Sequence, residues 1–124
     1  MEKFKGSEVG THVIADVVGI KNPFKFDSIE TMQEVFHAAA KKAKMNIIAE
    51  NWKKFDPQGL SGVLFLAESH LSIHFSPEHS FCWIDSFTCG REGSASVAIE
   101  YICKHLKCDM KKTKITHMDR TIKY

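Results

Sequence analysis

No stretch of this sequence reaches the roughly 18 consecutive apolar residues that a membrane span needs, and the opening MEKFKGSEVG has no signal-peptide core. A cytoplasmic location with no membrane partner is therefore expected. Charge of one sign is also missing. The net charge is +2, and the bunched lysines, Lys41, Lys42 and Lys44 and then Lys111, Lys112 and Lys114, read as solvated element ends rather than a nucleic-acid footprint. Cysteine is scarce: Cys82, Cys89, Cys103 and Cys108 include no CxxC pair, which argues against a disulfide frame and against the usual zinc site. A Gly-x-Ser-x-Gly nucleophile elbow is absent, since GLSGV at 59–63 matches it only by half. A conventional hydrolase triad is not expected, and no metal is.

What remains is an ordinary globular composition. Apolar residues make up 44% and charged residues 26% of 124, enough for one domain with one core. THVIADVV at 11–18 suits a strand. A helix follows, with Asp27 as cap, Glu30 at capping-box spacing, and Ile29, Met32, Phe36, Ala39 and Ala43 on one face. Short β-rich stretches then cover about 46–55, 62–67, 70–75 and 81–87, separated by FDPQG at 55–59 and SPEHS at 76–80. GREGS at 90–94 closes that region. A second helix at 95–107 carries Ala95, Ala98, Ile99, Ile102 and Leu106 on one face, and a last strand lies near 113–118.

The order β-α-β-β-β-β-α-β predicts an α+β fold, a two-layer sandwich whose antiparallel sheet carries both helices on one face. The other face would then show Phe65, Phe75, Phe81 and Trp83 to water. A homodimer covering that face is the expectation.

The chemistry is densest in AESHLSIHFSPEH, residues 67–79. Three readings compete there. The histidines are satisfied strand residues; or His70, His74, His79 and Cys82 hold zinc, for which the usual tetrahedral spacing is missing; or Ser69 is a nucleophile with a histidine moving protons.

FDPQGLSGVLFLAESHLSIH at 55–74, PEH at 77–79, FTCG at 87–90 and GTHVIAD at 10–16 together resemble the short prokaryotic S-adenosylmethionine decarboxylase proenzymes. The resemblance runs through nearly the whole chain. It implies self-cleavage between Glu68 and Ser69, giving residues 1–68 and 69–124. The serine hydroxyl would attack the preceding carbonyl, an N→O acyl shift would give an ester, and elimination followed by hydrolysis would leave a pyruvoyl group at Ser69. His74 and Ser61 match the processing residues, and Cys89 matches the proton donor of decarboxylation. The pyruvoyl ketone would form a Schiff base with the amine of a small-molecule substrate and accept the electrons released with carbon dioxide. Buried core is the expectation for Cys103 and Cys108.

By the same resemblance Phe55, contributed across a dimer interface, would hold the adenosine part of the substrate, and Glu78 its ribose hydroxyls. One departure stands out. The family's usual Thr-Trp-Pro-Glu is Phe75-Ser76-Pro77-Glu78 here, and the run to Trp83 differs too. Losing one buried ring costs ~1.5–3 kcal/mol, or ten- to a hundredfold in affinity. S-adenosylmethionine, feeding spermidine synthesis, thus competes with L-ornithine or L-arginine, for which Asp56, Glu78 or Asp16 would face the distal cation. A non-processing regulatory paralogue is a further reading, from outside enzymology.

Overall fold

In a computed structural model the described residues are 8–67, 69–89 and 94–121. Six strands form one antiparallel sheet in the order β2-β3-β4-β5-β1-β6. They are β1 (Glu8–Val17), β2 (Ile47–Lys54), β3 (Leu60–Leu66), β4 (Ser69–Ser76), β5 (Phe81–Thr88) and β6 (Lys114–Thr121). Helix α1 (Ile29–Lys42) and helix α2 (Ala95–Leu106) pack on each other, α1 also meeting β2 and α2 meeting β1 and β5. This is the α+β two-layer arrangement that the element order predicts. No helix among the described residues is long and apolar enough to cross a membrane.

Strands β1, β3, β4 and β5 alternate between buried and more exposed residues, and that alternation decides which side is core. Val13, Ala15 and Val17 of β1, Leu60, Leu64 and Leu66 of β3, Leu71, Ile73 and Phe75 of β4, and Cys82 and Ile84 of β5 are buried under the helices. Opposite them Met32, Phe36 and Ala39 of α1 and Ala98, Ile99, Ile102 and Leu106 of α2 close the core. Cys103 is fully buried there too, as expected, while Cys108 is only half-buried. Trp52 also belongs to this side, its ring edge-on to Phe36 at 5.4 Å and lying over Gly62, where an added Cβ would fall 2.0 Å from the indole.

Two expectations need correction. Phe75 does not face water; it is fully buried, because its neighbours Leu71 and Ile73 set the inward phase of β4. The exposed apolar residues of the open face are instead Ile14, Phe65, Trp83 and Met118, with Phe81 half-buried. Asp27 does not cap α1. Ser28, in extended backbone, accepts the Thr31 N–H, so Thr31 rather than Glu30 takes the third helical position and no capping box forms. The Asp27 carboxylate is engaged elsewhere. It accepts the Gly59 N–H at 3.0 Å and pairs with Lys54 at 3.1 Å, tying the β2–β3 turn to the start of α1.

Candidate active site

The strand register divides the expected site residues between two ends of the sheet. Leu66 pairs with Ser69, so β3 and β4 join through a link of only Ala67 and Glu68. Glu68 itself lies outside the described residues. Ser69 is half-buried at the head of β4. His70 pairs with Phe87, which brings Ser69 level with Thr88, next to Cys89. Thr88 in turn pairs with Thr11 of β1, and Gly10 beside it lies so near the Thr88 carbonyl that a Cβ there would come within 2.5 Å. The candidate nucleophile and the candidate proton donor thus share one end.

The other end holds the rest. Ser61 pairs with His74 across β3 and β4, and the Ser61 hydroxyl lies 2.8 Å from His74 Nδ1. The Phe55 ring, from the turn after β2, stands 6.2 Å from the imidazole, centroid to centroid, and Trp83 stacks on it at 5.6 Å. Glu78 sits in the short 3-10 turn Pro77–His79 that follows β4, 3.7 Å from His79. Asp56 is exposed in the β2–β3 turn. From Ser69 to His74 is five strand residues, about 17 Å. A hydroxyl and an imidazole that far apart on one rigid strand do not exchange a proton.

Between the two ends lies a cluster that sequence reasoning missed. Asp85 of β5 receives His12 Nε2 at 2.8 Å and His70 Nε2 at 2.9 Å on one carboxylate oxygen, and the Ser72 hydroxyl on the other. Burial pushes the Asp85 carboxyl up, but the hydrogen bonds from His70, Ser72 and His12 together outweigh it and hold the group below the ordinary range. Arg120 approaches His12 Nδ1 at 3.5 Å. A guanidinium only donates, so this contact fits the tautomer in which Nδ1 accepts and Nε2–H points at Asp85. The donor atoms of His12, His70 and Asp85 lie within 4.8 Å of one another. The four residues weighed for zinc do not converge: Cys82 is buried on the helix side of the sheet, where burial drives its thiol pKa well up, while His70 and His74 sit on the open side. The only sequence signal for the Asp85 cluster was alternation. Asp85 shares a strand face with Trp83, and His12 shares one with Ile14.

Residues 11–121 match the model of the S-adenosylmethionine decarboxylase family. An S-adenosylmethionine decarboxylase proenzyme of Thermodesulfovibrio yellowstonii is 36% identical, over 92% of this chain and 88% of its own. One from Aquifex aeolicus is 39% identical over 79% of this chain and 72% of its own. A crystal structure of the adenosylmethionine decarboxylase from Aquifex aeolicus superposes with a TM-score of 0.84 at 33% identity, covering 95% of both chains.

Proposed function

This chain belongs to the S-adenosylmethionine decarboxylase family, and from that membership we propose that it cuts itself between Glu68 and Ser69 and then removes carbon dioxide from S-adenosylmethionine. Ser69 suits the self-cleavage by its place. It heads a strand directly after a two-residue link, so the peptide bond it must attack is its own, and the ladder anchors Leu66 on one side of the cut. The pyruvoyl group so generated would supply a ketone that condenses with the substrate amine and draws in the electrons left by decarboxylation. Cys89, at the same sheet end, returns a proton to the substrate carbon. Ser61 and His74 move protons during cleavage, the imidazole held by the hydroxyl 2.8 Å from Nδ1.

The observation that carries this reading is the division of the site into two ends. Ser69 and Cys89 stand apart from Ser61, His74, Phe55 and Glu78 in one chain, so a working site needs the second set from a second copy. A two-fold dimer with the open faces together and the ends reversed supplies it twice over. It also covers Ile14, Phe65 and Met118, which are 38%, 47% and 42% exposed in the single chain. In that arrangement Phe55 and Glu78 receive the nucleoside across the interface. Asp56 stands in the same turn, exposed, and is the group an ornithine or arginine substrate would call on.

Intact mass and carbon dioxide release test the proposal together. Purified protein is expected as two chains, residues 1–68 and 69–124, the second beginning with a ketone at position 69; Ser69→Ala is expected as one folded, inactive chain. Processed protein is expected to release carbon dioxide from S-adenosylmethionine and not from ornithine or arginine. An uncut yet active chain would overturn the cleavage reading, and release from ornithine or arginine alone would overturn the substrate. An uncut chain inert to all three would point to the regulatory paralogue.

A further inference from the structure

The His74 end of the open face carries more aromatic surface than proton transfer requires. Trp83 projects from β5 with 51% of its surface exposed. Its indole lies nearly parallel to the His74 imidazole, 25° between planes, and Phe81 meets it edge-on at 4.9 Å. The register explains the opening beside it. Ser76 pairs with Phe81 and His74 with Trp83, so beyond the imidazole β4 offers only a hydroxymethyl group on this face next to the two rings. An indole fixed by two ring contacts and left uncovered is a rigid, flat, apolar platform. Phe55, 39% exposed, stands near the same imidazole.

We infer that Trp83, braced by Phe81, is the surface on which the purine ring of the substrate stacks, and so is a specificity-determining residue for a nucleoside-bearing amino acid over a bare one. The inference rests on the substrate reading given above. Aromatic surface that β4 lacks at Ser76 is supplied by the neighbouring strand, one pair along on the same face. Stacking needs a planar π-face of either ring type, whereas mere bulk at this position does not provide one.

The probe is 5′-deoxy-5′-methylthioadenosine, which keeps the purine and the sulfur but has no α-amino group to condense with the ketone. It is titrated by calorimetry into processed wild-type protein, Trp83→Phe and Trp83→Leu. Trp83→Phe is expected to bind within about threefold of wild type, and Trp83→Leu about tenfold or more weaker. With S-adenosylmethionine, the Leu variant's loss per cleaved chain falls on KM more than on kcat. Equal binding by the Leu variant, or equal loss in both variants, would overturn the role of the ring and leave the substrate reading standing. No binding by wild-type protein would overturn the inference, and carbon dioxide release from S-adenosylmethionine decides separately whether the substrate reading falls with it.

Discussion

Asp85 is the acceptor for three donors on a face that the proposed dimer closes over. Removing it strands the Ser72 hydroxyl and two imidazole N–H groups. Asp85→Ala is therefore expected to cost about 1–3 kcal/mol at pH 7, read as a lower urea midpoint. The sign with pH follows from the depressed carboxyl. Its stabilisation is complete above the unfolded value of 3.8 and fades as pH falls through the lower folded value, so the gap between wild type and variant narrows below about pH 4. Among single residues, the roles proposed for Ser69, His74 and Cys89 rest on the specific string of neighbours that surrounds them. The pairing of His12 with Asp85 was not legible, since they are 73 positions apart and meet only through the β1–β5 pairing.

Elements were legible where alternation or a 3.6-residue stripe was strong, and misread where two polar residues competed. Asp27 and Ser28 are both good caps, and only the pull of Lys54 and Gly59 on the carboxylate decides between them. Ser28→Ala is expected to lower stability by about 1 kcal/mol, measured by chemical denaturation, through loss of the bond to the Thr31 N–H. Phe75 was misplaced for a related reason. HLSIHF has apolar residues at 71, 73 and 75 and histidines at 70 and 74, and the aromatic belongs to the apolar phase.

For the whole molecule, sequence pattern sufficed for the layers but not for the strand order, because nothing local places β1 between β5 and β6. A site shared across a dimer was implied for Phe55 by the resemblance, but that Ser61 and His74 would come with it from the second chain follows only from the register, which separates Ser69 from His74. This division has a direct test. Ser69→Ala and His74→Ala chains, each unable to mature alone, are expected to restore cleavage of the His74→Ala chain when co-expressed, because the mixed dimer contains one complete site. Intact mass reads the result, and a wholly uncut mixture would place both residues in one chain's service.

The strand order interleaves segments from before and after position 69. β1 has β5 and β6 for neighbours, and β3 has β4, so three of the five ladders (β3–β4, β5–β1 and β1–β6) would join the two products of the cut. The pieces would stay clasped like the fingers of two hands. Denaturation would then be a different event before and after maturation. A precursor would refold as one chain, whereas severed halves would first have to find each other.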